Sequence, residues 1–323
     1  MRAIRFETPG GPEVLQYVEV ADPTPGPGEI LIRHEAIGVN FIDTYHRSGL
    51  YPVKLPSGLG SEGAGEVVAV GDQASRFRVG DLVAYAGGPI GSYAELMVVR
   101  ADRAVRLPSG VGSKLAAAAM LKGMTAEFLL RRCFRVEAGQ TVVVHAAAGG
   151  VGQILVQWAK TLGARVIGTV GSAEKAQTVR ELGCDEVILY RDQDVAAEVR
   201  RLTGGAGVPV VYDGVGRETF EASLSSLARR GVMVSFGNAS GPAPAMEPIR
   251  LARGGSLFLT RPTLFDYIAT TEELDESARA LFEVLGSGAV KVQVGQTFPL
   301  SEARAAHEAL ESRRTVGSTL LIP

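Results

Sequence analysis

Cysteine is nearly absent: the 323 residues contain two, Cys133 and Cys184. That excludes a disulfide framework and any C-x-x-C redox or metal pair. Histidine is as sparse, with His34, His46, His145 and His307 only, and no His-x₃-His spacing or triad context. No run approaches 18 apolar residues, and the opening MRAIRFETPGG has no apolar signal core. A soluble, cytoplasmic protein without membrane partners is expected. Charge of one sign is also lacking: Lys plus Arg is 33 against 35 for Asp plus Glu, a net of −2. Without a basic excess, nucleic acid is not an expected partner. Pro/Ser linkers and low-complexity tracts are missing, and the one small cluster, Gly237 to Pro248, reads as a surface loop.

What the chain does have is 46% hydrophobic residues and 40 glycines, most of them at turn-like positions. The length predicts two domains. Residues 1–110 hold short strands such as EILIRHEAIG, GEVVAVG, DLVAYAG and AELMVV, punctuated by Gly and Pro. That pattern fits a β-rich, partly closed unit. From Ser113 an Ala/Leu-rich stretch reads as helix, with a possible break at Gly123. A clean β-α alternation follows: TVVVHA, RVIGTV, EVILY, VPVVYD, VMVSFG and SLFLT, with helices between the earlier runs. Six such strands predict an α/β fold with a six-stranded doubly wound parallel sheet. The tail, with helices at 272–286 and 301–311 and strands at 290–298 and 318–323, looks like the first part again. The expected division is 1–122 with 263–323 as a discontinuous β-rich domain, and 123–262 as the inserted dinucleotide-binding domain.

The strongest local signal is TVVVHAAAGGVGQILVQWAK, a strand, a small-residue turn and an amphipathic helix. Against G-x-G-x-x-G, Ala147 replaces the first glycine. Gly149 would let the backbone approach a pyrophosphate, and Gly152 would let helix and strand pack closely. The helix N-terminus supplies N–H groups for phosphates. The second strand ends at Gly171-Ser172, where an NAD enzyme places a carboxylate, and Lys175 follows. A small residue, a hydroxyl and an ammonium accept a 2′-phosphate, so NADPH is the expected cofactor. Lys175 also has an ordinary reading as a solvated helix-face lysine. His145, in the first strand of this unit, is expected to be a satisfied core histidine.

The combination of GGPEVL, IGVNFIDTYHRSGLYP, GLGSEGAGEV, RFRVGDLV, HAAAGGVG and VSFGNASG resembles the medium-chain dehydrogenase/reductase superfamily. Within it the chain is most similar to the zeta-crystallin-like quinone oxidoreductases of the bacterial NADPH:quinone reductase type. The resemblance spans the whole chain. It implies a GroES-like β-rich catalytic domain beside the Rossmann domain and a homodimer through the last Rossmann strand, SLFLT. It also implies NADPH-dependent, zinc-independent hydride transfer to a quinone. Asn40 stands where the superfamily's zinc enzymes have a catalytic cysteine, and Ser61 where they have a histidine. Glu62 alone makes no zinc site, and structural hydrogen bonds are expected of it.

The same resemblance puts Asn40, Asp43, Tyr45 and Tyr51 beside the nicotinamide as candidate catalytic residues. Two readings of the tyrosines stand side by side, a substrate wall or loop packing, and Asp43 reads equally as a helix cap. Phe41, Lys122, Thr125 and Phe128 match residues flanking the nicotinamide and its phosphate; Lys122 reads alternatively as a surface charge and Phe128 as core. Gly150 and Val151 match the pyrophosphate turn. Tyr190 joins the 2′-phosphate pocket, and Arg313 resembles a further phosphate contact, with a surface charge as its alternative reading. Val215, then Phe236, Gly237, Asn238 and Ser240, then Arg261, Pro262 and Leu264 match the cofactor's ribose and carboxamide surround. Competing functions are reduction of conjugated C=C bonds in alkenals or enones, and a non-catalytic NADPH- or RNA-binding role.

Overall fold

The computed structural model describes residues 1–313 and 315–323. They form two compact units, one comprising Met1–Met124, Tyr267–Gly286 and Val292–Pro323, the other Thr125–Asp266 and Ser287–Lys291. The short return of 287–291 to the second unit has a local cause. Gln157 donates to the Lys291 carbonyl at 2.9 Å and accepts the Lys291 N–H at 2.9 Å.

In the first unit a hairpin, β1 (Arg2–Arg5) with β2 (Gln16–Glu19), precedes a larger sheet. That sheet contains β3 (Glu29–Val39), β4 (Glu62–Val70), β5 (Leu82–Ala86), β6 (Leu96–Arg100) and β7 (Val105–Arg106). Helix α1 (Phe41–Ser48) follows β3 directly, and α2 (Ser113–Phe128) leads into the second unit. The break expected at Gly123 does not occur. A Cβ there would lie 2.4 Å from Leu281, so the glycine serves close packing inside a continuous helix.

The second unit alternates β8 (Thr141–Val144), α3 (Gly150–Thr161), β9 (Arg165–Val170), α4 (Ala173–Glu181) and β10 (Glu186–Leu189). Then come α5 (Val195–Leu202), β11 (Val208–Asp213), α6 (Phe220–Ser226), β12 (Leu227–Ser235), α7 (Ile249–Arg253) and β13 (Phe258–Thr260). All six strands are parallel, in the order β10-β9-β8-β11-β12-β13. Both faces of the central strands are covered, which is why they read as unbroken apolar runs. Val142, Val143, Val144, Val210 and Val211 are wholly buried, each worth about 1.5–3 kcal/mol of burial. The chain winds outward from β8 one way and from β11 the other, so the topological switch lies between these two strands.

The chain returns through α8 (Leu264–Tyr267) and α9 (Thr271–Gly286). β14 (Val294–Pro299), α10 (Ala303–Glu311) and β15 (Ser318–Ile322) then complete the first unit. β15 pairs antiparallel with β3, and β14 parallel with β15. Leu300, Ala303, Ala306 and Leu310 pack with Ile37, Val39 and Tyr93 in one core, which sets α10 beside the end of β3. Among the described residues no helix is long and apolar enough to cross a membrane.

Candidate active site

In the first unit the chemistry gathers where β3 runs into α1. Asn40 is the extended N-cap of α1, and its backbone N–H donates to Asp43 Oδ2 at 2.8 Å. The capping role expected for Asp43 is therefore real, but the carboxyl is also wholly buried and does more. Tyr93 donates its hydroxyl to Asp43 Oδ2 at 2.9 Å, and Ser61 reaches Oδ1 at 3.5 Å. Glu62, equally buried, accepts the Asn40 side-chain amide at 2.8 Å, the Leu121 N–H at 2.7 Å and the Lys122 ammonium at 2.9 Å. Lys122 is thus no surface charge; its side chain is 7% exposed.

Burial pushes the Asp43 carboxyl up to about 7. The Asn40 N–H and the Tyr93 hydroxyl oppose the shift, the Glu62 charge adds to it, and Lys122 offsets it. Tyr45 and Tyr51 stack edge to face with centroids 5.2 Å apart, and Tyr51 N–H donates to the Tyr45 carbonyl at 3.0 Å. The two candidate wall residues are thus one aromatic unit. Phe41 is half-buried against the core that holds α10.

The donor set does not fit a zinc ion. Among the described residues no three His, Cys, Asp or Glu side chains gather as a metal site. Asn40 brings an amide and Ser61 a hydroxyl, while Glu62 is bound to an ammonium that a divalent cation would have to displace.

In the second unit the turn follows β8 directly, and Ala146, just before Ala147, lies in the left-handed region (φ 50°). Gly149 caps α3, and Gly150 and Val151 open its first turn. A Cβ on Gly152 would lie 2.3 Å from the Ala146 carbonyl oxygen, so α3 approaches the strand as closely as backbone allows. At the end of β9, Ser172 caps α4, its Oγ accepting the Lys175 N–H at 3.3 Å. Burial and then the charge of Arg191 lower the Lys175 ammonium. A Cβ on Gly171 would meet Tyr190 Oη at 2.6 Å and Arg191 Nε at 3.4 Å. Gly171, Ser172, Lys175 and Tyr190 therefore share one corner with Arg191, which the sequence reading missed. Its signal was available, as a cation directly after Tyr190 at the end of the next strand.

At the end of β11, the buried Asp213 accepts the N–H groups of Val215 (2.8 Å) and Gly216 (3.0 Å). It also accepts the hydroxyl of Ser223 at 2.6 Å, and Ser223 meets His145 Nε2 at 3.0 Å. His145 Nδ1 lies 3.0 Å from Thr169 Oγ1. His145 is a satisfied core histidine, and burial lowers its proton affinity. Ser240 donates to the Val215 carbonyl at 2.8 Å, Gly237 lies against Gly214, and Arg261 donates to the Ser235 carbonyl at 2.9 Å. Phe236 and the buried Asn238 lie on the same loop, and Pro262 and Leu264 follow β13. Asp213 is the organiser of this loop cluster that sequence reasoning did not single out. Thr125 and Phe128 are buried on α2, Phe128 at 1% exposure, and Arg313 is exposed in the turn after α10, in the first unit.

Residues 26–109 match the alcohol dehydrogenase GroES-like domain and residues 150–289 the zinc-binding dehydrogenase domain. The two domains together define a medium-chain dehydrogenase/reductase. A quinone oxidoreductase of Pseudomonas aeruginosa is 52% identical over 323 residues, covering 100% of this chain and 99% of the relative. The crystal structure of Escherichia coli quinone oxidoreductase complexed with NADPH superposes with a TM-score of 0.99 at 49% identity, covering 100% of both chains. A 2-haloacrylate reductase of Burkholderia is 44% identical over 324 residues, covering 97% of this chain and 96% of its own. The chain belongs to the quinone oxidoreductase family of that superfamily.

Proposed function

We propose that the protein is an NADPH-dependent, zinc-independent reductase of quinones. The observation that carries the cofactor choice is the corner after β9: Gly171 in place of a carboxylate, with Ser172, Lys175, Tyr190 and Arg191 around it. Gly149, Gly150 and Gly152 leave the start of α3 bare of side chains except for Val151, which supports a pyrophosphate on its N–H groups. When bound, the nicotinamide supplies the hydride. The chain's own residues orient and protonate. Tyr51, half-buried and packed edge to face with the buried Tyr45, offers an aromatic surface for a quinone ring. Asn40 is held by Glu62 and Asp43 at the head of α1, and Asp43 is a buried group able to hold a proton near neutral pH.

A second reading, reduction of a conjugated C=C bond, is favoured by the likeness to a 2-haloacrylate reductase. NADPH oxidation measured across quinones, alkenals, 2-haloacrylate and enoyl thioesters, with and without a chelator, decides between them. Quinone turnover that survives chelation is expected. Turnover of C=C substrates alone overturns the quinone reading, and activity lost with a stoichiometric zinc overturns the metal-free one.

A homodimer through β13 is part of the proposal. This three-residue edge strand exposes Phe258 (59%) and Leu259 (37%), with Ile249 and Phe265 also exposed in the same unit. An apolar sheet edge of this kind needs a partner. A cytoplasmic location is also part of the proposal and agrees with Cys133 and Cys184 not being joined in a disulfide.

A further inference from the structure

Arg47, Tyr93 and His307 have no part in the reading above, yet they form a continuous buried chain that ends on Asp43. Asp43 and Arg47 lie four residues apart on α1, and His307 and Glu311 four apart on α10, so each pair shares one helix face. Arg47, 3% exposed at its side chain, donates to Glu311 at 2.7 and 3.1 Å and to the Gly10 carbonyl at 3.1 Å. Its Nη1 also lies 2.9 Å from His307 Nδ1. A guanidinium can only donate, so Nδ1 is the acceptor and the imidazole proton sits on Nε2. His307 Nε2 lies 3.1 Å from the Tyr93 hydroxyl and therefore donates to it. Tyr93 in turn has its proton free to donate to Asp43 Oδ2 at 2.9 Å. Every bond points the same way. Burial, with Arg47 beside it, pushes His307 down to about 3, so the imidazole stays neutral and the direction of the chain holds across the working pH range.

We propose that Arg47, His307 and Tyr93 are positioning residues, a one-way hydrogen-bond chain that gives Asp43 Oδ2 a fixed donor and thereby steadies Asn40 at the head of α1. The proposal rests on the quinone-reductase reading for its catalytic consequence, though not for the chain itself. Among the charged or titratable neighbours of Asp43, Glu62 from β4 disfavours its ionisation, while Lys122 from α2 and the Tyr93 hydroxyl favour it; His307 and Arg47 stand behind Tyr93 in the chain. Without the Tyr93 donor, burial and Glu62 act on Asp43 opposed only by the Asn40 N–H, Ser61 and Lys122.

The test is the carboxylic C=O infrared band of Asp43, titrated in the full-length cofactor-free protein and identified by its loss in Asp43→Asn. Tyr93→Phe removes one hydrogen bond to a charged group. It should raise the midpoint by roughly one to two pH units, a ten- to hundredfold gain in proton affinity. His307→Leu should move it the same way by less. His307→Gln keeps an acceptor for Arg47 and a donor for Tyr93, and should restore the wild-type value. The limb of the kcat/KM pH profile for quinone reduction that Asp43 sets should move in step. An identical midpoint in wild type and Tyr93→Phe overturns the chain; if that variant does not fold, the two His307 variants decide by the same criterion. A midpoint that shifts while kcat/KM stays put overturns the positioning role. A wild type that reduces no quinone overturns the functional reading instead, and leaves the infrared result standing.

Discussion

Discrimination between NADPH and NADH should reside in the corner after β9, and its size follows from the groups there. Lys175 is half-buried and its ammonium is lowered by burial and by Arg191, so two cations are held close together at this corner. A 2′-phosphate relieves that repulsion and accepts charge-assisted hydrogen bonds worth about 1.5–3 kcal/mol. At about 1.4 kcal/mol per decade, NADPH should bind roughly ten- to a hundredfold more tightly than NADH. Lys175→Ala and Arg191→Ala should each remove part of the preference and barely touch NADH. Because the cations are neighbours, the double variant should lose less than the sum of the two. Gly171→Asp should reverse the preference, but at a structural cost. A Cβ at this position lies 2.6 Å from Tyr190 Oη, so the tyrosine must swing aside before the carboxylate can meet a ribose. Its melting temperature should therefore drop, whereas those of the two alanine variants should not. Isothermal titration with both cofactors at fixed ionic strength measures the ratios, which should shrink as salt is raised. Equal wild-type affinity for the two cofactors, or a double variant that keeps the full preference, would refute the reasoning.

The remaining predictions concern packing. Gly152→Ala drives a methyl against the Ala146 carbonyl, 2.3 Å from its Cβ position, so dinucleotide binding and melting temperature should both fall; an unchanged titration would show that the turn is looser than drawn. Ala146→Gly relieves a left-handed residue at a cost of about 1 kcal/mol, so its stability should not fall below wild type in a denaturant melt. Phe258→Lys places a charge on the exposed edge of β13, and sedimentation should show a dimer turning into a monomer; a wild type already monomeric at micromolar concentration would remove the dimer from the proposal.

The parallel sheet was readable because each strand is a buried apolar run and each helix has one apolar face, both properties of neighbouring residues. The same holds for the small-residue turn and for His145, whose place inside a central strand already implied a core partner. Local reading failed where distance in sequence matters. Gly123 looked like a helix break until Leu281, on a helix far along the chain, was seen to fill the space beside it. Arg191 went unnoticed because its relation to Lys175 depends on how two parallel strands end side by side. Tyr93 and His307 are 214 positions apart and Arg47 and His307 are 260 apart, so no motif could have joined them.

The buried charges at the head of α1 sharpen the case against a merely structural role for that region. Asp43, Glu62 and Lys122 put two carboxyls and one ammonium in a volume almost closed to water. Burying an ion pair is seldom more stabilising than packing apolar groups of the same size, and an extra carboxyl makes the balance worse. A helix cap alone would need only Asn40 and a surface acid three residues on. Here the acid is buried and supplied with a donor from Tyr93, and its neighbour Glu62 accepts the side-chain amide of Asn40. Stability gives no reason for that arrangement, whereas the proposed reduction, which takes up a proton, would. On that proposal the bonds that Asn40 donates to Asp43 and Glu62 organise the site without a metal, and the Asp43 carboxyl, raised towards neutrality by burial, supplies a group whose charge can change there.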